Sequence, residues 1–86
     1  MERIISNAEI GARIRLFRKQ KNLTQMQLAE RVGVSFQQIQ KYEKGRDRIC
    51  VERLQQIARA MGIPISYFLQ ILERFMLFRK RHLIMS

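Results

Sequence analysis

The glutamines close to a single glycine, Gly33, include Gln25, Gln37, Gln38 and Gln40. A glutamine amide both donates and accepts hydrogen bonds, so a cluster of such side chains is suited to recognising another polar molecule. Glutamine is also an ordinary solvated residue, and the cluster indicates recognition only if the surrounding elements hold these side chains together. The segments on either side of the glycine each begin with a hydroxyl residue, which predicts two capped helices.

The side chains that catalysis or metal binding needs are few in this chain. Its 86 residues include one cysteine, Cys50, and one histidine, His82. One cysteine cannot form an internal disulfide, and one histidine cannot build a metal site alone. The sequence shows no nucleophile–base pair and no phosphate-binding loop. We therefore expect no enzyme activity, no metal and no cofactor, and we expect Cys50 to be a partly buried, inert thiol.

The chain is strongly basic, with 17 Lys and Arg against 7 Asp and Glu and a net charge of +10. Such a charge favours a polyanionic partner, either nucleic acid or an anionic membrane face. Hydrophobic residues make up 47% of the sequence, which excludes a disordered chain, and the apolar runs are too short to span a bilayer. The N-terminus lacks the features of a secretory signal, so a cytoplasmic location is expected.

The spacing of the apolar residues predicts five helices with short connections and no strand. Three helices begin with a hydroxyl residue followed three positions later by Glu or Gln, the capping-box pattern. The three pairs are Ser6–Glu9, Thr24–Gln27 and Ser35–Gln38. Only about three residues separate the second helix from the third, which predicts a sharp crossing at Gly33 rather than a parallel hairpin.

The second and third helices with their glycine turn form a helix-turn-helix arrangement. A major groove about 12 Å wide admits one α-helix, provided that a partner helix crosses the DNA backbone to hold it. The stretch TQMQLAERVGVSFQQIQKYEKG, followed by LQQIARAMGI, resembles the phage Cro/repressor (XRE-type) helix-turn-helix family over residues 8–69. The resemblance implies an all-α fold, a compact five-helix bundle of the lambda-repressor-like type with an extended C-terminal helix, and double-stranded DNA as partner.

The resemblance also implies which side chains meet DNA. The residues expected at base edges are Phe36, Gln37, Gln38 and Lys41. The residues expected at phosphates are Gln25, Gln40, Lys44, Arg46 and Arg48. Gln37 suits a bidentate pair with adenine, and Lys41 suits guanine. Phe36 departs from the polar residue often found at its position: it contacts a thymine methyl, shields Gln37, or tucks back against the second helix.

Two further charged sets have structural interpretations. Family members commonly pair the positions of Arg18 and Glu43 in a partly buried ion pair, which would orient the third helix from the first; the alternative is two unrelated surface charges. A solvated basic face is predicted for Arg3, Arg13, Arg15 and Lys19.

The chain divides into a helix-turn-helix DNA-binding domain, residues 1–69, and an apolar and basic helical tail, residues 70–86. The tail stripe predicted to make a dimer or partner contact consists of Phe68, Leu72, Phe75 and Met76. Monomers avoid exposing an apolar patch of this size, so a homodimer formed through the tail is expected. The alternative is that the tail folds back on its own domain or stays disordered.

These features together favour a sequence-specific DNA-binding transcriptional regulator, a repressor that binds a palindromic operator as a homodimer. Such a protein would be bacterial or phage-derived and associated with the nucleoid, with no membrane partner. Two alternatives stay open. One is an antitoxin that binds a toxin through its tail, and the other is a membrane-surface or protein adaptor that uses the basic amphipathic segment RFMLFRKRHLIM.

Overall fold

The computed structural model describes residues 4–69. Over this range the chain forms five helices and no strand, which confirms the predicted all-α fold. The helices are α1 (Asn7–Gln20), α2 (Gln25–Val32), α3 (Phe36–Glu43), α4 (Val51–Met61) and α5 (Ser66–Leu69). Residues 1–3 and 70–86 lie outside the described residues. The predictions for Arg3, Leu72, Phe75, Met76 and the basic end of the tail lie there too.

The first two helices begin with complete capping boxes. The Ser6 hydroxyl accepts a hydrogen bond from the Glu9 backbone N–H at 3.1 Å, and the Glu9 carboxylate accepts one from the Ser6 N–H. The Thr24 hydroxyl accepts from the Gln27 N–H at 3.0 Å, and the Gln27 amide oxygen accepts from the Thr24 N–H at 2.8 Å. Each box satisfies backbone donors that a helix start leaves unpaired, so these two predictions are confirmed.

The next two long helices begin with single caps rather than boxes. The Ser35 hydroxyl accepts from the Gln38 N–H at 3.1 Å, but the Gln38 amide donates to Asp47 instead of closing the box. The predicted third capping box is therefore wrong, because a loop carboxylate competes for the glutamine. At α4, the Cys50 sulfur accepts from the Arg53 N–H at 3.4 Å and the thiol is exposed. The expected partial burial of Cys50 is wrong, because its cap position precedes the buried face of the helix.

One hydrophobic core lies between the five helices. Its largest fully buried side chains are Ile14, Leu28, Ile39, Ile57 and Phe68, one from each helix in order. Full burial of such a side chain stabilises the fold by roughly 1.5–3 kcal/mol. Loss of any one helix would therefore expose part of the same core to water.

Phe68 is one of these core residues, and α1 holds it in place. Its ring packs edge-on against that of Phe17, with centroids 5.2 Å apart, and its carbonyl accepts from Arg13 Nη1 at 2.9 Å. Because Phe68 is fully buried in its own domain, its assignment to a dimer or partner contact is wrong. Arg13 likewise does not belong to a solvated face, whereas Arg15 and Lys19 are exposed.

The turn between α2 and α3 depends on Gly33. This residue has φ 85° and ψ 33°, the left-handed conformation. The N–H groups of Gly33 and Val34 both donate to the Ala29 carbonyl, at 2.8 and 3.1 Å, and so satisfy the end of α2. A residue with a Cβ pays roughly 1–2 kcal/mol in this conformation. Glycine therefore allows a connection of only three residues between α2 and α3, as predicted.

A second glycine, Gly11, permits the close contact between α1 and the end of α3. A Cβ at this position would lie 2.1 Å from the Tyr42 carbonyl oxygen and 2.8 Å from that of Glu43. Neither oxygen belongs to a flexible side chain, so one of the two helix backbones would have to move. The local pattern of α1 does not distinguish Gly11, because its neighbours are distant in sequence.

Candidate nucleic-acid interface

The third helix has one buried side and one exposed side. Ile39 is fully buried, and Tyr42 and Glu43 are nearly so. The exposed side carries three of the predicted base-contacting residues, Phe36, Gln37 and Lys41. Residues one and five positions after the first lie within ~140° of it around a helix that turns 100° per residue. Gln37 and Lys41 therefore lie about 40° apart on the side of α3 opposite Ile39, whereas Phe36 lies at the edge of the buried side.

Exposed cations follow this helix directly. Lys44 is its C-cap, and Arg46 and Arg48 lie in the loop before α4; all three side chains are exposed. Gln40, the remaining predicted phosphate contact on α3, is half-buried. The exposed side of α3 is thus followed directly in the chain by three exposed positive charges.

Gln38, the fourth residue predicted at base edges, is half-buried and has a specific partner. Its Nε2 donates to Asp47 Oδ2 at 3.0 Å, across the loop that follows α3. Sequence reasoning missed Asp47, which lies between two arginines and reads as part of a charged loop. A Gln–Asp pair nine residues apart follows no helix spacing, so only the folded loop reveals it.

The position of α3 is held by an ion pair that reaches across to α1. Arg18 Nε lies 2.6 Å from Glu43 Oε2, and Arg18 Nη2 lies 3.1 Å from Glu43 Oε1. The third guanidinium nitrogen, Nη1, donates to the Leu23 carbonyl at 2.8 Å. The two side chains are only 9% and 2% exposed, so this is a buried bidentate pair and not two unrelated surface charges.

Gln25 joins the same network. Its Nε2 donates to Glu43 Oε1 at 3.0 Å, so the Glu43 carboxylate accepts from both α1 and α2. Its half-buried amide has one further N–H. Besides the phosphate contact predicted for it, Gln25 therefore has a structural role, because its side chain links the start of α2 to the end of α3.

The part of the chain that the structure describes holds neither a metal-binding cluster nor a membrane-spanning helix. Residues 4–69 contain no group of three or more His, Cys, Asp or Glu side chains that could hold a metal ion. Within the same range, no helix is long and apolar enough to cross a membrane. In this range, the chemistry available to the surface of α3 is hydrogen bonding, apolar contact and charge.

Known proteins share this arrangement. The profile of the HTH_3 helix-turn-helix family matches residues 14–68. The chain is 54% identical over 68 residues to a protein of Rhodospirillum rubrum named as a transcriptional regulator in the ATPase CF(0) region. That alignment covers 79% of this chain and 63% of the relative. The chain spans about half the length of the curated relatives it matches.

Two solved structures have the same fold and appreciable sequence identity. The clp gene regulator ClgR from C. glutamicum is 30% identical, with a TM-score of 0.74 over 78% of this chain and 87% of that one. The DNA-binding domain of the P22 c2 repressor is 28% identical, with a TM-score of 0.69 over 79% of this chain and 86% of that one. The family profile covers more than half of the chain, and the helix pair, turn and ion pair all lie within it. The chain therefore belongs to the HTH_3 helix-turn-helix family.

Proposed function

We propose that this chain binds double-stranded DNA sequence-specifically with α3 in the major groove and acts as a repressor, as a homodimer on a palindromic operator. The observation that carries the proposal is the division of α3. Its buried side is locked to the core through Ile39 and the Arg18–Glu43 pair, while its opposite side is exposed and rich in hydrogen-bonding groups. A helix that reads base edges needs both a rigid attachment and an outward polar strip.

The side chains on that strip have distinct tasks. Gln37 is exposed on α3 and can pair with the N6 and N7 atoms of adenine, while Lys41 can reach the O6 and N7 atoms of guanine. Phe36 is 36% exposed, so part of its ring is held by the domain and part is free to contact a thymine methyl. Together these residues offer contacts to several neighbouring base pairs.

The cations next to α3 supply attraction that is independent of sequence. Lys44, Arg46 and Arg48 are exposed at the end of α3, where the sugar-phosphate backbone would run beside a helix seated in the groove. Each phosphate neutralised by such a side chain releases condensed counterions, so affinity should fall steeply with salt. The net charge of +10 adds long-range attraction.

Pairing of two copies follows from the small size of the reading element. An eight-residue helix is only about 12 Å long and spans few base pairs. Two such helices related by a two-fold axis and separated by about 34 Å would read two half-sites one turn of DNA apart. Binding of this kind blocks a promoter by occupancy, and the likeness to the P22 c2 repressor supports a repressor role.

The proposal is tested by selecting duplexes from a random pool with the wild-type chain and with Gln37→Ala and Arg46→Ala. We expect the wild type to enrich an inverted repeat. Gln37→Ala should relax one position in each half-site at a cost of about 1–3 kcal/mol. Arg46→Ala, the matched control, should weaken binding to all sequences equally and reduce the salt slope by about one.

The stoichiometry is tested separately by sedimentation with the enriched duplex. Two copies on the full repeat, and one copy on a duplex cut to a half-site, would support the homodimer model. Retention of all sequences equally by the wild type would contradict direct readout. Enrichment of a single asymmetric half-site by a monomer would contradict the two-fold operator but leave DNA binding intact.

A further inference from the structure

We infer that Asp47 is a positioning residue that orients the Gln38 amide, so that Gln38 accepts a hydrogen bond from the exocyclic amino group of adenine or cytosine. This inference rests on the proposed function and adds a specificity determinant to the same surface. It starts from one contact, the 3.0 Å hydrogen bond from Gln38 Nε2 to Asp47 Oδ2.

The chemistry of the pair decides which way the amide is turned. An ionised carboxylate only accepts hydrogen bonds, so the nitrogen of the Gln38 amide must face Asp47. The carbonyl oxygen then lies on the other branch of the amide. Among residues 4–69 no group donates a hydrogen bond to this oxygen, so it is left for an external partner.

The pair is held at both ends. The Gln38 backbone N–H donates to the Ser35 hydroxyl at 3.1 Å, and both Gln38 and Asp47 are half-buried, unlike the exposed Gln37 beside them. The terminal torsion of a glutamine is broad and roughly two-fold when nothing constrains it. Without Asp47 the amide would therefore offer its oxygen and its nitrogen to DNA interchangeably.

A fixed carbonyl oxygen discriminates between bases. In the major groove, the donors are the amino groups at adenine N6 and cytosine N4, whereas guanine offers N7 and O6 and thymine offers O4 as acceptors. If the Gln38 carbonyl oxygen is held toward a base edge, it accepts a hydrogen bond from adenine or cytosine and is repelled by the acceptor atoms of guanine or thymine. Gln37, which is exposed, has no comparable constraint.

A competing explanation treats Asp47 only as a negative charge between Arg46 and Arg48 that weakens attraction to phosphates. Two substitutions separate these roles. Asp47→Asn removes the charge but keeps an oxygen that accepts from the Gln38 amide, whereas Asp47→Ala removes both. Both variants should therefore bind all duplexes more tightly, but only Asp47→Ala should lose base preference.

The experiment uses the full chain and the duplex that the wild type selects. The first step is to find the base pair that Gln38 contacts, which is the position of the duplex where Gln38→Ala reduces the base preference. At that position, adenine is replaced by purine, or cytosine by 2-pyrimidinone, either of which lacks only the amino group. We expect the wild type and Asp47→Asn to lose about three- to tenfold in affinity on this replacement, as for one hydrogen bond. Gln38→Ala and the double variant Gln38→Ala with Asp47→Ala should each lose less than about twofold, by the same reasoning. Asp47→Ala should lose less than the wild type, because its amide is free to turn either its nitrogen or its oxygen toward the base.

Circular dichroism of each variant is the check that it is folded. If Asp47→Ala keeps the wild-type loss, Asp47 acts as a charge alone and the inference fails, while DNA binding stands. The inference also fails if no position responds to Gln38→Ala. If the wild type itself selects no sequence, the proposed function fails first, before any variant is compared.

Discussion

The buried ion pair that links α1 to α3 makes the strongest prediction about stability. In Arg18→Met, the Glu43 carboxylate stays in a site where it is only 2% exposed and loses both of its hydrogen bonds from Arg18. One hydrogen bond remains, from Gln25 at 3.0 Å. Leaving one partner of a buried pair uncompensated costs about 3–5 kcal/mol. For a small domain this is a large fraction of a total stability of roughly 5–15 kcal/mol.

A double substitution distinguishes burial of a charge from loss of packing. In Arg18→Met with Glu43→Leu, neither charge is present, and an apolar pair of similar volume is often as stable as the ion pair. The Leu23 carbonyl still loses the Arg18 Nη1 donor at 2.8 Å, which costs about 1 kcal/mol. We therefore expect the double variant to lie within about 1–2 kcal/mol of the wild type and to be more stable than Arg18→Met.

The assay is urea unfolding followed by the circular dichroism of the helices, with stability taken from the linear dependence on denaturant. Arg15→Met is the matched control, because Arg15 is exposed on the same helix and its loss should change stability by less than about 0.5 kcal/mol. A cost under about 1 kcal/mol for Arg18→Met would refute the reasoning, because that is the range of an exposed ion pair. The reasoning would also be refuted if the double variant lost as much stability as Arg18→Met and Glu43→Leu lose in sum.

Three other predictions follow from the packing. Gly11→Ala should destabilise the domain by about 2 kcal/mol or more, because the new carbon would lie 2.1 Å from a carbonyl oxygen of α3. The control Ala12→Ser, on the exposed side of α1, should be nearly neutral, and equal unfolding midpoints for the two variants would contradict this prediction. Cys50→Ser should leave stability unchanged or raise it by up to about 1 kcal/mol, because serine is the better helix cap. In the folded wild type the Cys50 thiol should react with a thiol reagent as fast as in the urea-unfolded chain, and a slower reaction in the folded state would contradict its exposure. Phe68→Ala should lower the free energy of unfolding, measured in urea, by about 3–5 kcal/mol. The control Leu69→Ala should lower it much less, because Leu69 is half-exposed, and similar costs for the two variants would show that α5 is not part of the core.

Much of the local structure could be predicted because it depends on residues no more than five positions apart. The caps at Ser6 and Thr24, the glycine at the end of α2 and the alternation of buried and exposed positions in α3 all belong to this class. The same reasoning failed at Ser35, where the partner of Gln38 proved to be Asp47. A local pattern states which bond a side chain is able to make, but not which competing partner the fold brings nearer.

The errors in the predicted site have one common origin. Phe68 is the first residue of the apolar tail stripe, and the spacing of apolar residues alone does not show that Phe68 is buried in the domain core. Arg13 and Cys50 were misjudged in the same way, because exposure depends on what packs against a position. The roles of Phe36, Gln37 and Lys41 at base edges stay predictions, and their common exposure on α3 is consistent with those roles.

The amino-acid sequence by itself determined the helices, the turn at Gly33, the basic charge and the family, because each depends on residue type and short-range spacing. Tertiary structure alone decided three contacts: the approach of α1 to α3 at Gly11, the hydrogen bond from Gln25 to Glu43, and the pairing of Gln38 with Asp47. The physical reason is that these contacts join residues from different elements within a few ångströms. Their geometry is set by the packing of the whole core, and no single segment contains it.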